Sequence, residues 1–93
     1  MNVRAPVPPA APPGLTPSLQ QCRTFGEQIR QFNHEYQAEA EIIVRQADQT
    51  LRQGSREWHA AYEKSFRIRD EGFHVEYDSL WPMYRECLKQ ALD

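Results

Sequence analysis

The sequence predicts an all-α fold, a long antiparallel two-helix hairpin of the coiled-coil type that self-association or a partner completes into a helical bundle. No proline lies between Pro17 and Pro82, and Gly54 and Ser55 lie near the middle of that stretch. Large apolar residues recur at helical spacing on both sides of this pair and at matching distances from it, as one core shared by two folded-back helices requires. The predicted core residues are Cys22, Phe25, Ile29, Phe32, Tyr36, Ala40, Ile43, Ala47 and Leu51 on the first helix, and Trp58, Tyr62, Phe66, Phe73, Tyr77, Leu80, Tyr84 and Cys87 on the second.

A proline-rich leader covers residues 1–16, with Pro12 and Pro13 near its end. Proline lacks a backbone N–H and fixes φ, so we expect a flexible segment here and neither helix nor sheet. Thr16 is suited to cap the first helix, and Pro17 to its first position, where a missing N–H has no effect. The hairpin is therefore predicted over residues 17–93, with its first helix over residues 17–53.

The turn is predicted at residues 54–55. Gly54 is suited to the left-handed conformation that follows a helix, and Ser55 is suited to cap the next one. A connection this short makes the two helices antiparallel neighbours. The second helix is predicted over residues 56–92, with a kink near residues 81–82, because Pro82 removes one helical hydrogen bond.

Length, charge and hydropathy exclude several classes of protein. A chain of 93 residues forms one domain at most. Its net charge is −2, with charges of both signs interspersed, so we do not expect it to bind nucleic acid. The longest apolar run in the helices covers residues 42–44, so we expect no membrane span. The leader has no apolar signal segment, which predicts a cytoplasmic protein. No motif for a cofactor or for nucleophilic catalysis is present, and we expect no enzyme.

A two-helix hairpin of this size buries only one stripe of each helix, so other apolar residues are left for a partner. We expect them to bind a second copy, giving a homodimer, or a helix of another protein. The predicted partner-binding residues are Leu19, Val44, Trp81, Leu88 and Leu92 on one flank and Ile42 and Ile68 on the other.

Two further features have structural interpretations. Cys22 and Cys87 lie at matching distances from the turn, and we expect two reduced, buried cysteines, although a disulfide between them remains open. Arg69 is a polar residue at a predicted core position. We expect its side chain to reach Glu39 or Glu41 and to form a salt bridge there.

A metal site is the alternative interpretation. Glu71 and His74 have the Glu-x-x-His spacing that places two ligands on one helical face, and Glu35 and Glu39 lie at facing positions of the first helix. This set resembles the ligands of di-iron carboxylate bundles, which short two-helix ferritin-like proteins complete between subunits. The resemblance implies a ferritin-like half-bundle completed on dimerisation. The helical phase nevertheless places Glu71 almost opposite the predicted core, so we expect these side chains to face water and to bind no metal.

The sequence thus favours a non-enzymatic protein-interaction module. In size and two-helix layout the chain resembles small secreted helical hairpins and the needle or chaperone subunits of type III secretion, although its turn, Gln53-Gly54-Ser55, lacks the turn motifs of both groups. The resemblance implies an adaptor or chaperone of a secretion or assembly system. A compact inhibitor of the phage type has the same requirements for size and surface.

Overall fold

The computed structural model describes residues 1–11 and 14–93, and it confirms the all-α hairpin. Helix α1 (Leu19–Thr50) is followed by α2 (Arg56–Val75), by one π-helical segment (Glu76–Leu80, the π segment) and by α3 (Trp81–Leu92). The last three elements form one nearly continuous arm antiparallel to α1, and the molecule measures 58 × 18 × 17 Å. None of the described helices is both long and apolar enough to cross a bilayer.

Helix α1 begins later than predicted, because Ser18 and not Thr16 is its cap. The hydroxyl of Ser18 accepts from the backbone N–H of Gln21 at 3.1 Å, and the side chain of Gln21 accepts from the N–H of Ser18 at 2.8 Å. This capping box satisfies two N–H groups at once. Pro17 lies before the helix and is buried.

The turn has the predicted chemistry but is longer than predicted. Helix α1 ends at Thr50, and Leu51 is extended, with φ −113°. Gly54 has φ +84°, the left-handed conformation that favours glycine. The hydroxyl of Ser55 accepts from the N–H of Trp58 at 3.2 Å and so caps α2 as predicted. All three residues added to the turn, Leu51, Arg52 and Gln53, were predicted to be helical.

The predicted antiparallel pairing of the helices is confirmed. Ser65 donates from its hydroxyl to the carbonyl of Ala40 at 2.8 Å, Tyr84 covers Gly26, and Cys22 joins Cys87. Helix α1 also buries most of the predicted stripe. Its buried residues from that stripe are Cys22, Phe25, Ile29, Phe32, Tyr36, Ala40 and Ala47.

The prediction for the face of the second helix was wrong. Ser65, Ile68 and Gly72 are buried against α1, whereas Phe66, Phe73 and Tyr77 are exposed. Gly72 faces α1 because the ring of Tyr36 needs the space. A Cβ atom at Gly72 would overlap the ring of Tyr36.

Ile68 requires a separate correction. It was predicted to lie on a partner-binding flank, but its side chain is only 3% exposed and belongs to the main hydrophobic core. The reason is the same rotation of α2, which turns Ile68 inward together with Ser65 and Gly72.

Just before the predicted kink near Pro82, the second arm contains the π segment. The N–H of Trp81 bonds to the carbonyl of Glu76, five residues earlier. A π turn holds one more residue than an α turn, so it changes which residues face the neighbouring helix. Leu80, the last residue of the π segment, and Cys87 of α3 are buried against α1. Pro82 lies in the first turn of α3, where its missing N–H is tolerated.

The two cysteines form a disulfide, so the expectation of reduced thiols was wrong. Cys22 and Cys87 are buried, and their Cα atoms are 5.7 Å apart. Gly26, one turn from Cys22, has no side chain between α1 and the ring of Tyr84, and this allows α3 to approach α1 closely.

The leader lies against the hairpin, although a flexible segment was predicted. The backbone N–H of Asn2 donates to the carboxylate of Glu39 at 3.1 Å, and Val3 and Ala5 pack against the core. Further along, Val7 lies beside the first turns of α1, so the leader runs antiparallel to that helix. Pro12 and Pro13 lie outside the described residues.

Reduction of the disulfide is expected to lower the free energy of unfolding by about 2–4 kcal/mol, because the bond links residues 65 positions apart. Urea denaturation followed by circular dichroism, with and without reductant, measures this loss. The double variant Cys22→Ser with Cys87→Ser serves as the control, since its stability should be reduced and insensitive to reductant. Equal midpoints for oxidised and reduced protein would contradict a stabilising role of the bond.

Candidate functional site

Four aromatic residues lie on one face of the second arm, on its outer side. We call Tyr62, Phe66, Phe73 and Tyr77 the aromatic stripe; their spacings of four, seven and four residues place them on one helical face. Phe66 is 72% exposed, and Phe73 and Tyr77 are each 52% exposed. Aromatic surface of this extent, gathered on one face of a helix, is typical of an interaction site.

The rings within the stripe support one another. Phe73 and Tyr77 lie with their ring centroids 4.6 Å apart, and Trp58 and Tyr62 form a similar pair at 4.2 Å near the turn. Aromatic pairs at such distances contribute favourable energy beyond the burial of their area. Three of the four stripe residues, Tyr62, Phe73 and Tyr77, thus have an aromatic neighbour before any partner binds.

Asp48 of α1 fixes the end of the stripe nearest the turn. Its carboxylate accepts from the indole N–H of Trp58 at 2.9 Å and from the hydroxyl of Tyr62 at 2.8 Å. The hydroxyl of Tyr62 donates a hydrogen bond to Asp48, and this bond raises the pKa of Tyr62, so the phenol remains a donor at neutral pH. The predicted core position of Tyr62 is thus only half correct, since the residue is half-buried and anchored at its polar end.

A buried carboxylate lies behind the other end of the stripe. Glu76, the first residue of the π segment, is only 2% exposed. One of its oxygens accepts from the amide of Asn33 and from the hydroxyl of Tyr36, the latter at 2.6 Å. The second oxygen accepts from the indole N–H of Trp81 at 2.9 Å. Every buried side-chain polar atom in the described part of the chain has a hydrogen-bond partner.

This network joins three elements through one side chain. Burial, and then the hydrogen bond to Glu76, raise the pKa of Tyr36 well above its ordinary value, so the phenol is a permanent donor. Asn33 and Tyr36 belong to α1, Glu76 to the π segment and Trp81 to α3. The network therefore fixes how α3 continues from α2, and with it the position of Tyr77 next to Glu76.

Charged residues line the two margins of the stripe. Arg69 and Asp70 are neighbours in sequence, so they lie about 100° apart around the helix, one at each margin. The expected salt bridge from Arg69 to Glu39 or Glu41 is wrong, because Arg69 forms none with any residue that the structure describes. Glu41 pairs with Arg45 at 2.6 Å, and Glu39 accepts from Asn2.

His74 lies beside the same margin as Asp70. Its Nδ1 is 2.9 Å from a carboxylate oxygen of Asp78, and its Nε2 is 3.6 Å from one of Asp70. The hydrogen bond to Asp78 raises the pKa of His74, and the negative charge of Asp70 adds to the shift. Protonation of this histidine thus reduces the acidic character of the margin.

The residues predicted to bind a partner on two flanks differ in their exposure. Leu92 is 71% exposed and Ile42 is 49% exposed, but Ile42 lies in the half of α1 nearer the turn and Leu92 lies at the open end. Trp81 packs against the core and donates to Glu76, so most of its contacts are internal. The remaining three residues are half-buried; they are Leu19, Val44 and Leu88.

The four residues of the metal alternative each have another neighbour. Glu71 lies 4.0 Å from the amino group of Met1, and Glu35 accepts from Gln31 at 3.1 Å. His74 contacts the two aspartates, and Glu39 contacts the leader. Among residues 1–11 and 14–93, no group of three or more histidine, cysteine or carboxylate side chains is placed to hold a metal ion.

Comparison of the chain with protein-family models, with curated proteins and with solved structures finds no significant match. Two features that carry the argument were missed at the level of sequence. The stripe residues Phe66, Phe73 and Tyr77 were assigned to the core, and Glu76 was not recognised as buried.

Glu76→Ala is expected to lower the free energy of unfolding by about 3–5 kcal/mol, because it leaves the buried hydroxyl of Tyr36 and the half-buried donors of Asn33 and Trp81 without this acceptor and opens a cavity. Urea denaturation followed by circular dichroism measures the effect. Glu63→Ala is the matched control, since Glu63 is exposed on the same arm and its loss should change stability by less than about 0.5 kcal/mol. Similar effects of the two substitutions would contradict the role of Glu76 as the centre of the network.

The pKa of His74 is expected to lie above 6.5 and to fall in Asp78→Asn, because the hydrogen bond to Asp78 is the main cause of the shift. Stabilisation by charged His74 is complete below pH 6.5 and is lost as the pH rises through the raised pKa. NMR titration of the imidazole protons measures the value. A smaller decrease in Asp70→Asn provides the comparison, and no change in Asp78→Asn would contradict the assignment.

Proposed function

We propose that this protein is a non-enzymatic interaction module that binds an amphipathic helix of a protein along the aromatic stripe. The observation that carries the proposal is the exposure of Phe66, Phe73 and Tyr77 on one face of a well-anchored helix. An exposed row of aromatic rings is unfavourable in water and becomes favourable when a partner covers it. Adaptors, chaperones and compact inhibitors all work through such a surface.

A helix is the occupant that best fits the shape of the stripe. From Tyr62 to Tyr77 the stripe extends over roughly 22 Å, at about 1.5 Å per residue, and it stays on one face. Side chains that recur every three or four residues on a partner helix would interleave with this row. An extended strand would leave its backbone groups unpaired here, because a helix offers no free edge for hydrogen bonding.

The anchored position of the stripe also favours binding. Asp48 holds Tyr62, and the Glu76 network holds the π segment that carries Tyr77. Side chains that are already ordered lose little conformational entropy when a partner docks. We propose no enzymatic role for Glu76, because donors occupy both of its oxygens and its exposed fraction is 2%.

The disulfide bears on the compartment in which the protein acts. The cytoplasmic location inferred from the leader stays a prediction, and the Cys22–Cys87 disulfide argues against it. Disulfides persist in oxidising compartments and are rare where cellular thiols keep proteins reduced. We therefore favour an oxidising environment as the place where the module acts.

Photo-crosslinking in the cells that produce the protein tests the proposal. Phe66 is replaced by the photoreactive residue p-benzoylphenylalanine, and irradiation is expected to join it to a protein chain. Adding Phe73→Glu should abolish the adduct, because burying the charge of Glu against the apolar side of a partner is unfavourable. The same probe at exposed Gln37 of α1 is the control and should give no adduct that depends on Phe73. Absence of an adduct at residue 66, or an adduct that persists in Phe73→Glu, would contradict the proposal.

A further inference from the structure

The margins of the aromatic stripe carry opposite charges at the same level of the helix. Relative to the centre line of the stripe, Arg69 lies roughly 50° to one side and Asp70 roughly 50° to the other. Both are exposed. Arg69 has no ion-pair partner in the described part of the chain, and the one ion-pair contact of Asp70 there is His74 at 3.6 Å. The centre of the stripe thus presents one unmatched cation and one weakly matched anion.

We propose that the occupant of the stripe is a second copy of this chain, whose α2 lies parallel to the first about a two-fold axis along the helices. This inference rests on the proposed function and names its partner. Phe66 would then pack on the partner's Phe66, and Phe73 on the partner's Phe73. Arg69 would face the partner's Asp70, and this ion pair would occur twice.

The charges distinguish the parallel from the antiparallel arrangement. In a parallel two-fold pair of helices, each margin faces the opposite margin of the partner, as in parallel coiled coils. Arg69 and the partner's Asp70 then lie at the same level. In an antiparallel two-fold pair each margin faces its own counterpart, which would bring Arg69 towards the partner's Arg69 and Asp70 towards the partner's Asp70. Like charges at that distance are unfavourable, and the parallel pair avoids them.

The leader leaves the stripe open for this contact. Met1 lies beside Glu71, and Glu71 is roughly 160° from Phe73 around α2. The leader therefore covers the flank of the hairpin opposite the stripe.

The area of the stripe indicates a reversible dimer. The exposed parts of Phe66, Phe73 and Tyr77 amount to roughly 350 Å² per protomer, given about 200 Å² for a whole aromatic side chain. Two protomers would bury about twice that area, together with flanking residues. Such an interface lies at or below the lower end for specific complexes, so we expect dissociation in the micromolar range.

Sedimentation equilibrium of the full chain over a concentration series tests the inference. The wild type is expected to be a monomer–dimer mixture, and Phe73→Glu should weaken the dimer by at least about tenfold. Ile42→Glu is the matched control, since Ile42 is 49% exposed against 52% for Phe73 but lies on α1. It should change the dissociation constant by less than about twofold. Circular dichroism confirms that each variant remains helical.

Charge exchange tests the orientation. Arg69→Asp places two acidic pairs across a parallel interface and should weaken the dimer by about tenfold. Arg69→Asp combined with Asp70→Arg exchanges the charges and should restore the wild-type constant within about threefold. An antiparallel dimer would respond to neither change, because each residue would still face its own counterpart.

Several outcomes would overturn the inference. A wild type that stays monomeric to about 1 mM, a far weaker association than the micromolar range expected here, contradicts self-association. If residue 66 then crosslinks to a different protein in a manner that depends on Phe73, the proposed function stands and only the second copy is wrong. A dimer that weakens in Ile42→Glu and not in Phe73→Glu places the interface elsewhere. Failure of the charge exchange to restore the dimer contradicts the parallel arrangement.

Discussion

The contact between the ring of Tyr36 and the bare backbone of Gly72 sets the geometry of this hairpin. The ring occupies the space that a side chain at Gly72 would fill, so α2 must present its smallest residues to α1 at this level. About two turns earlier another small residue, Ser65, faces α1, and its hydroxyl donates to the carbonyl of Ala40. Because the aromatic residues of α1 fill the interior, those of α2 are turned outward. The aromatic stripe is thus a consequence of how the core is packed.

The π segment sets which residues face α1 in the other half of the second arm. Its additional residue rotates the remainder of the arm, so that Leu80 and Cys87 return to α1 beyond an acidic residue that would otherwise interrupt the core. Glu76 is tolerated in the interior because three donors meet its two oxygens. A buried carboxylate of this kind specifies one arrangement of its neighbours more strictly than apolar packing does. The same side chain therefore settles both the direction of α3 and the position of Tyr77.

Sequence reasoning succeeded where local signals decide the structure. The turn at Gly54, the cap at Ser55 and the buried stripe of α1 follow from conformational preference and helical spacing. The second arm carries two rows at helical spacing, one bulky and one small, and ranking them by size selected the wrong one. The row that contains Gly72 must face α1, because the ring of Tyr36 fills the space next to it, and this is visible only once the two helices are packed together. A constant angle per residue also cannot anticipate the π segment, and the polarity of Glu76 concealed its burial.

The position of the disulfide has a mechanical consequence. Cys22 lies in the first turn of α1 and Cys87 lies in the last two turns of α3, so the covalent bond closes the open end of the hairpin. Tension applied to the two ends of the chain passes through the sulfur atoms and bypasses residues 23–86. The aromatic stripe lies entirely within that shielded loop. The hairpin can therefore keep the aromatic stripe in shape while its ends are under load, and reduction would expose the same helices to unzipping from the open end.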